Sequence, residues 1–266
     1  MAEISIIVRA YNDIHFIGRT LSMIKKQTRQ DFELIVVDSG SRDGTWEEIK
    51  KYNPDIAYQV TNYVPGRVLN EAVEKASGNV IVFNNSDCVP QNIYWLENLT
   101  RKSEDENIAA VFGNQLSRPD AHPLVRKDNE RAFGDGKLAA SWSHFFSLAT
   151  SAVPCDLLKK YPFNPSIQYS EDIEWSWKMK KLGYKIVYVA DAVVEHSHDY
   201  TLPQVWQRFH GEGIAEGEIY QQQPSFSGMV VKPVLAELVR DFIYIMRSGE
   251  FKVLLYAPLY RIFQRM

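Results

Sequence analysis

The chain has 266 residues, of which 45% are hydrophobic and 24% are charged, and its formal net charge is −3. This length and hydrophobic content predict one large α/β domain with a short appendage. A nucleic-acid-binding protein is disfavoured, because such proteins usually carry a basic excess that neutralises phosphates.

The first third of the chain alternates short apolar runs with amphipathic segments. The predicted strands are 4–8, 34–37, 56–61 and 80–83, and the predicted helices are 14–27 and 66–77. The β-branched runs are typical of strands buried on both faces. Strands that alternate with helices in this way predict a mostly parallel, doubly wound α/β sheet.

The second predicted strand runs directly into a polar turn, in the sequence ELIVVDSGSRDGT. Asp38 stands at the carboxyl end of that strand, where open parallel sheets bind their ligands, so its carboxylate can accept hydrogen bonds from a nucleobase or ribose. Gly40 and Gly44 permit the tight backbone path that follows. The alternative is a helix cap, in which Asp43 or Ser41 accepts hydrogen bonds from backbone amides near Thr45.

Two further motifs follow in the second half. An acidic pair, Glu171 and Asp172, precedes a predicted helix over 173–182 that is closed by Gly183. A predicted strand over 186–194 is followed by His196 and His198. If the extended geometry persists, the two histidines point to the same face.

The organisation changes beyond Tyr200. Residues 202–218 read as a helix, and 228–233 predict a break before two apolar segments at 234–246 and 252–263. The last two segments are also basic, so they fit an anionic membrane surface. They fit equally a face that packs against the catalytic domain or against a second subunit.

Cys88 and Cys155 are the only cysteines, and they follow no metal or disulfide spacing. A reducing cytoplasm is therefore the simpler expectation. No secretory leader or membrane-spanning apolar run is evident, so the sequence predicts a cytoplasmic protein, with peripheral contact at the inner face of the membrane as an extension.

Four segments in order along the chain carry a family resemblance: SIIVRAYND, VVDSGSRDGT, PGRVLNEAVEKASGNVIVF and YSEDIEWSWKMKKLGYKI. Together they resemble a bacterial family 2 glycosyltransferase with the glycosyltransferase-A fold, over roughly residues 3 to 210. RPDAHPL and EHSHDYTL are most similar to the rhamnosyltransferase-type branch, whose members build bacterial surface polysaccharides.

The resemblance implies a domain organisation and an activity. A catalytic domain over 1–210 would comprise a nucleotide-sugar half, 1–90, and an acceptor half, 91–210, followed by a helical extension over 211–266. The implied reaction is an inverting transfer of a hexosyl or deoxyhexosyl group from a nucleoside diphosphate sugar. The implied donor is linked to UDP or dTDP. The implied acceptor is a hydroxyl of a glycan or of a lipid-linked glycan.

The resemblance also implies a divalent cation, Mn²⁺ or Mg²⁺, near the end of the fourth strand. The family motif has two aspartates separated by one residue, but this chain has Asn85 in the first position and only Asp87 in the second. Some branches add a histidine, for which His198 is the candidate and His196 the alternative, and imidazole favours manganese. The other interpretation is a polar turn before Pro90, with one histidine at a strand end and the other on substrate.

The remaining site residues follow from the same resemblance. The predicted nucleotide-binding residues are Ala10, Tyr11, Asn12, Asp38, Gly66, Arg67, Asn70, Asn85, Ser86 and Arg208. Trp142 and His144 are expected near the acceptor sugar, because aromatic rings stack on sugar faces, although a core role is equally open. Glu71 replaces a glycine that is frequent in the family, which affects the local backbone of this segment.

Asp172 falls on the position of the family's catalytic base, with Glu171 as a binding neighbour. A carboxylate there would take the proton of the acceptor hydroxyl during attack on the anomeric carbon. The structural alternative is helix capping by Ser170, with the acids favoured by the helix dipole. The two interpretations are compatible.

Two other functions remain open at this stage. A sugar nucleotidylyltransferase would be expected to have a glycine-rich, basic phosphate loop after the first strand, where this chain has Arg9 to Asp13. A non-catalytic relative that binds sugar nucleotide is suggested by Asn85 in the metal motif.

Overall fold

The protein folds around one eight-stranded sheet. The computed structural model describes residues 2–103, 105–223 and 225–266. The strands are β1 (Ile4–Ala10), β2 (Phe32–Asp38), β3 (Ile56–Gln59), β4 (Val80–Asn85), β5 (Val89–Pro90), β6 (Ile108–Leu116), β7 (Thr150–Pro154) and β8 (Lys185–Glu195). Their order across the sheet is β3-β2-β1-β4-β7-β6-β8-β5.

The helices connect these strands and continue beyond the last one. They are α1 (Ile17–Lys25), α2 (Thr45–Lys51), α3 (Pro65–Lys75), α4 (Trp95–Thr100), α5 (Pro123–Asn129), α6 (Lys137–Ser141), α7 (Cys155–Lys160), α8 (Glu171–Lys181), α9 (Leu202–Tyr220), α10 (Lys232–Ser248) and α11 (Ala257–Phe263). Shorter helical turns at Glu130–Gly134, Ser227–Val231 and Phe251–Val253 join some of them.

The two halves of the sheet differ in strand direction. In the first half, β1 pairs in parallel with β2 and β4, and β2 pairs in parallel with β3. In the second half, β7 runs antiparallel to β4 and β6, while β6 and β8 are parallel. The predicted α/β class is therefore confirmed, but the sheet is mixed, because the second half of the chain returns through β7 against the direction of its neighbours.

Both faces of the sheet are covered by helices. Ile6 and Val8 of β1 pack in a buried cluster with α1, α2 and α4, whereas Ile7 packs on the opposite face with α3, α7 and α8. Successive strand residues point to opposite faces, so one β-branched run supplies both layers of the core. This layering leaves the loops at the strand ends free to form a site.

The C-terminal helices pack on the rest of the chain through a third apolar cluster, which includes Leu124 of α5, Val205 of α9 and Tyr260 of α11. The predicted break at 228–233 is wrong. The backbone is helical through Ser227–Val231 and continues into α10. The turn at Ser227–Val231 is π-helical, and this changes the hydrogen-bond pattern just before Pro233, whose missing N–H would otherwise interrupt a regular α-helix. The predicted domain boundary at residue 210 falls inside α9. Among the described residues, every helix is too short or too polar to cross a bilayer.

Candidate active site

Two adjoining clefts lie where β1 and β4 end. The strand-end cleft has a volume of about 920 Å³ and is lined by the loop Ala10–Asp13, Ser39, Thr61, Ser86 and Asp87. The helix-side cleft has a volume of about 540 Å³ and includes Glu171 and Asp172 of α8. Both clefts share a wall formed by Arg9, Tyr63, Asn85, His198, Tyr200 and Arg208. A ligand that fills the strand-end cleft would therefore lie beside the carboxylates of α8.

The loop after β1 is fixed to the loop after β2. Asn12 has a positive φ of 54°, and its backbone N–H donates to Ser41 Oγ at 2.8 Å. Its side-chain Oδ1 accepts from the backbone N–H of Arg42 at 2.9 Å. Asparagine tolerates this left-handed conformation better than most residues. Ala10, Tyr11 and Asn12, all predicted nucleotide-binding residues, therefore line the strand-end cleft on a well-braced backbone.

Asp38 is fully buried at the end of β2. Its Oδ2 accepts from Ser41 N at 3.0 Å and from Gln59 Nε2 at 2.7 Å, and Ser41 Oγ donates to Oδ1. The carboxylate thus holds the loop that shapes the cleft, and its predicted contact with a nucleoside stays a prediction. The alternative cap is also present, because Asp43 Oδ1 accepts from Thr45 N at 3.0 Å at the start of α2.

Three predicted nucleotide-binding residues lie on α3, behind the clefts. Asn70 donates through Nδ2 to Phe163 O at 2.9 Å and accepts at Oδ1 from Phe163 N at 3.0 Å. A Cβ on Gly66 would meet Asn164 O at 2.1 Å, so this glycine permits close packing against the same segment. The side chain of Arg67 is exposed. In this structure Asn70 and Gly66 brace the segment before Tyr169, and their contact with a nucleotide stays a prediction.

Asp87 and the two histidines converge on one point, although β8 ends at Glu195 and both histidines lie in the segment after it. One ligand atom from each of Asp87, His196 and His198 lies within 4.8 Å of the others. His196 Nε2 and His198 Nδ1 are 3.5 Å and 3.6 Å from Asp87 Oδ2, and the two Nε2 atoms are 3.0 Å apart. One carboxylate and two imidazoles fit a divalent transition-metal ion such as Mn²⁺. This group is called the Asp-His-His cluster below.

Gln115 controls which nitrogen of His196 is available. Gln115 Nε2 donates to Ser147 Oγ at 2.9 Å, which leaves its Oε1 facing His196 Nδ1 at 2.7 Å. Because Oε1 can only accept, Nδ1 carries the hydrogen, and the unprotonated Nε2 faces the space between Asp87 and His198. Burial lowers the pKa of His196 to about 4 and also lowers the pKa of His198. Both rings are therefore neutral at physiological pH, as metal ligation requires.

Two charged residues beside the Asp-His-His cluster were not predicted from the sequence. Arg118 Nη2 lies 3.5 Å from Asp87 Oδ2 and donates to the Asp87 backbone carbonyl at 2.8 Å. Its guanidinium stacks on Phe16, 3.8 Å from the ring centroid. Asp13 accepts a hydrogen bond from Ser86 Oγ, and burial, with Asp87 nearby, raises the pKa of Asp13. Arg118 therefore compensates charge at Asp87 from the side away from the strand-end loop.

The two acids of α8 have different surroundings, and Glu171 is the one that pairs with the sheet residue Arg9. Glu171 Oε1 forms an ion pair with Arg9 Nη1 at 3.0 Å, and Arg9 Nη2 donates to Asn85 Oδ1 at 3.0 Å. Asn85 therefore faces Arg9 and links β4 to α8 through it. Burial raises the pKa of Asp172 to about 7, and the adjacent Glu171 carboxylate adds to this rise. Asp172 can accept a proton near neutral pH, which is the property required of a general base.

Ser170 does not cap α8 as the structural alternative expected. It has a positive φ of 60°, and its side chain makes no capping hydrogen bond among the described residues. Asp172 Oδ1 instead accepts from the backbone N–H of Ile173 at 2.9 Å. The left-handed turn at Ser170 lets the acidic pair follow at the helix start.

Trp142 and His144 belong to an aromatic group near the helix-side cleft. Trp142 lines that cleft, whereas His144 is 4% exposed. Trp142 Nε1 donates to His144 Nε2, which also lies 2.8 Å from the hydroxyl of Tyr220 in α9. The core interpretation therefore describes His144 in this structure, while Trp142 offers a ring to the cleft. Arg208 lines both clefts and donates through Nη1 to the Tyr200 hydroxyl at 2.9 Å.

A second group of acids, Asp128, Glu237 and Asp241, has a different character. Lys127 Nζ lies 2.8 Å from Glu237 and 2.6 Å from Asp241, and Arg261 Nε lies 2.7 Å from Asp241. These ion pairs satisfy the carboxylates from within the chain. This group is a structural network that joins α5 to α10 and α11.

Comparison with known proteins agrees with the fold and with the resemblance found in the motifs. The sequence profile described as Glycosyl transferase family 2 matches residues 5–158. The O-antigen chain rhamnosyltransferase WbaN of Salmonella anatum is 31% identical over 204 residues, which cover 71% of this chain and 64% of that protein. The O-antigen chain rhamnosyltransferase RfbN of Salmonella typhimurium is 30% identical over 231 residues, which cover 80% of this chain and 72% of that protein. The chain therefore spans slightly less than two thirds of the length of WbaN.

Solved structures share the architecture at low sequence identity. The mannosyltransferase PcManGT from Pyrobaculum calidifontis, solved with GDP-Man and Mn²⁺, superposes with a TM-score of 0.69 at 19% identity, covering 98% of this chain and 85% of that one. Glucosyl-3-phosphoglycerate synthase from Mycobacterium tuberculosis, solved with Mn²⁺, UDP-glucose and phosphoglyceric acid, gives 0.65 at 20% identity, covering 84% and 81%. The predicted glycosyltransferase-A fold is confirmed, and the chain belongs to glycosyl transferase family 2.

Proposed function

We propose that this protein is an inverting glycosyltransferase that moves a hexosyl or deoxyhexosyl group from a nucleoside diphosphate sugar to a hydroxyl of a glycan or lipid-linked acceptor. One observation carries the proposal. A carboxyl group with a pKa of about 7, Asp172, lines the helix-side cleft together with His196. Asp87 lines the adjoining strand-end cleft, and His198 lies on the wall that the two clefts share. Proton acceptance and diphosphate binding would thus occur on neighbouring surfaces.

The strand-end cleft suits the nucleoside diphosphate. Its braced loop, Ala10 to Asp13, offers backbone groups, and Arg208 adds a positive charge at the wall shared with the second cleft. In the proposed division, residues 1–90 provide most of the donor contacts and residues 91–210 provide the base and the histidines. The helical segment over 211–266 adds Tyr260 and Gln264 to the helix-side cleft.

Asp87, His196 and His198 would hold a divalent cation. Two neutral imidazoles favour Mn²⁺ over Mg²⁺ in such a donor set. When bound, the cation supplies positive charge that stabilises the departing diphosphate. Gln115 keeps the His196 lone pair directed at the cluster, and Arg118 limits the negative charge at Asp87.

Asp172 would accept the proton of the attacking hydroxyl, while Glu171, which pairs with Arg9, would orient the acceptor. A single displacement from the face opposite the diphosphate inverts the anomeric configuration. Partial burial and the neighbouring Glu171 raise the pKa of Asp172, so the carboxylate can take up a proton near neutral pH. Arg9 keeps the donor and acceptor sides of the site in register through its contacts with Asn85 and Glu171.

The similarity to two O-antigen rhamnosyltransferases supports a dTDP- or UDP-linked donor and a role in surface polysaccharide synthesis at the cytoplasmic face of the membrane. The test is a donor panel containing dTDP-rhamnose, UDP-glucose and UDP-galactose, with Mn²⁺ or Mg²⁺ or after chelation. We expect slow release of nucleoside diphosphate from one donor, dependent on metal and lost in Asp172→Asn. The anomeric configuration of the product, read by NMR, tests inversion.

Two results would contradict the proposal. Nucleotide binding without release of nucleoside diphosphate from any donor, with or without acceptor glycans, would favour the non-catalytic relative. Pyrophosphate exchange into a nucleoside triphosphate would instead identify a nucleotidylyltransferase.

A further inference from the structure

The outer surface of α10 carries an apolar stripe. Leu235, Val239, Phe242, Ile243 and Met246 are between 44% and 60% exposed. Their spacing of four, three, one and three residues places them on one side of the helix, within about 100° of arc. Apolar side chains grouped in this way on a helix mark an interaction surface. This group is called the α10 stripe below.

The opposite side of α10 is held by the rest of the chain. Glu237 and Asp241 are buried there against Lys127, and Ile245 is buried in the apolar cluster with α5 and α9. The helix is thus fixed in orientation by the ion-pair network. The exposure of the α10 stripe is therefore a property of the packed structure.

Charges in this part of the chain are sorted by side. Residues 225–266, all of which the structure describes, contain three acids, and none is exposed: Glu237 and Asp241 are buried, and Glu250 pairs with Arg126 at 2.7 Å. The exposed charged side chains are all basic, and they are Lys232, Arg240, Arg247, Lys252 and Arg265. The acids face the protein, and the cations face outwards beside the apolar stripe.

We propose that the α10 stripe and its basic flank dock the protein on an anionic membrane surface. An apolar stripe next to cations is the arrangement by which amphipathic helices lie in the headgroup region of an anionic leaflet. A second copy of this chain fits less well. In a two-fold dimer the same patch meets itself, so the cations would face one another without exposed acids to pair with them.

The position of α11 links this surface to the site. Tyr260 and Gln264 line the helix-side cleft, whereas Leu259, Ile262 and Met266 of the same segment are exposed. A membrane-bound orientation would therefore bring the helix-side cleft near the bilayer, where a lipid-linked acceptor is anchored. This inference deepens the proposed function, but its test does not depend on sugar transfer.

The test is flotation of the whole chain with vesicles of phosphatidylcholine containing 30% phosphatidylglycerol or none. We expect binding to the anionic vesicles that weakens as salt rises, and little binding to neutral ones. Phe242→Glu with Val239→Glu should reduce binding to background. Lys232→Gln with Arg247→Gln should weaken partitioning about thirtyfold, because each basic residue near an anionic surface contributes about fivefold.

Matched controls on other surfaces separate docking from general changes in charge or folding. Leu182→Glu adds an acid at a side chain that is 48% exposed at the end of α8, and Lys25→Gln with Lys26→Gln removes two exposed cations near the end of α1. Both controls should bind vesicles as the wild type does. Circular dichroism and donor hydrolysis should be unchanged in every variant, so loss of transfer activity is scored separately from loss of docking.

Two outcomes would overturn the inference. Equal binding by the stripe variants and the wild type would show that another surface contacts lipid. Absence of vesicle binding, together with a dimer by analytical ultracentrifugation that Phe242→Glu dissociates, would show that a second copy covers the α10 stripe.

Discussion

The two carboxylates most important to the site stand in opposite electrostatic surroundings. Asp87 faces the guanidinium of Arg118 and two neutral imidazoles, whereas the half-buried Asp172 lies beside another carboxylate, Glu171. A nearby guanidinium keeps a carboxylate ionised, and neutral imidazoles beside it can bind the same cation. A second carboxylate nearby has the opposite effect to the guanidinium, because it favours the protonated form. The comparison teaches that the roles of two aspartates can be separated by their neighbours alone.

The strongest way to break this comparison is Asp172→Asn. The amide cannot accept the proton, so transfer should fall by about 10²- to 10⁴-fold. Affinity for the nucleoside diphosphate with Mn²⁺ should stay within about threefold, because the substitution leaves the strand-end cleft intact. Steady-state kinetics and calorimetric titration of the same preparation measure both quantities. Near-normal turnover would remove Asp172 from the mechanism.

Removing the other aspartate should have the reverse signature. Asp87→Ala should eliminate the metal-dependent part of nucleoside diphosphate affinity, and His198→Ala or His196→Ala should weaken it less, because the phosphates supply much of the cation's shell. Asn85→Asp should leave metal affinity nearly unchanged, since this side chain faces Arg9. Calorimetric titrations with and without Mn²⁺ compare the four variants. Metal-independent binding by the wild type would contradict the metal assignment and leave Arg208 and Arg118 to neutralise the diphosphate.

The pH dependence of kcat/KM tests the role of Asp172 separately from that of Asp87. A base with a pKa of about 7 is ionised only above that pH, so kcat/KM should fall about tenfold per pH unit below it and level off above it. Nucleotide affinity should vary little over the same range, because the imidazoles of the cluster have lowered pKa values and stay neutral. A flat profile between pH 5.5 and 8 would contradict the assignment.

The same group should affect stability. The pKa of Asp172 is about 3.8 in the unfolded chain and about 7 in the folded protein. As the pH rises from about 4 to about 7, the folded state therefore loses stability relative to the unfolded state, because Asp172 ionises more readily in the unfolded chain. Asp172→Asn removes that cost. The variant should equal the wild type in free energy of unfolding near pH 4 and exceed it above pH 7. Urea denaturation at both pH values, with Asp120→Asn at an exposed position as the control, tests this expectation.

The smallest expected effect is on Mn²⁺ affinity, from changing Gln115, which contacts His196 on the side away from Asp87. Gln115→Ala should weaken Mn²⁺ binding to the nucleotide complex about tenfold, because His196 loses the acceptor that fixes its tautomer. Gln115→Glu keeps an acceptor and should recover most of the affinity. Electron paramagnetic resonance titration of free Mn²⁺ provides the measurement. Equal affinities in all three proteins would show that the tautomer is set elsewhere.

Much of the strand-end cleft was predictable, because its elements follow one another along the chain. Short β-branched runs indicated β1, β2 and β4, and parallel strands bring their carboxyl ends to one edge. His196 and His198 were indicated by their place just after a predicted strand, although the strand itself ends at Glu195. The family motif then indicated Asp87 and Asp172.

Other parts of the site depend on distant pairings that the sequence pattern does not contain. Arg9 ends a buried strand, yet its role appears only when Glu171, 162 residues later, lies 3.0 Å away. Gln115 and Arg118 come from β6 and the loop after it, which reach the cluster because β6 pairs with β8. The local signals were a polar side chain near the end of an apolar strand for Arg9 and Gln115, and membership of the RPDAHPL segment for Arg118. For Asn70 and Gly66 the resemblance predicted contact with a nucleotide, whereas in the structure both residues pack against the backbone of Phe163 and Asn164.

The ion-pair network around Lys127 has a consequence for any shortened form of the protein. A chain ended after residue 231 would lose Glu237 and Asp241, and the buried ammonium of Lys127 would keep only Asp128, at 3.4 Å, as a partner. The same cut would remove Ile245, Val253 and Tyr260, which bury Leu124 of α5 in the third apolar cluster, and exposing one large apolar side chain costs about 1.5–3 kcal/mol. Truncation would therefore unfold or loosen α5, and with it one wall of the helix-side cleft. The last 35 residues thus hold α5 in place against the rest of the chain. A fragment trimmed from the C-terminal side should therefore lose the shape of the helix-side cleft and, with it, activity.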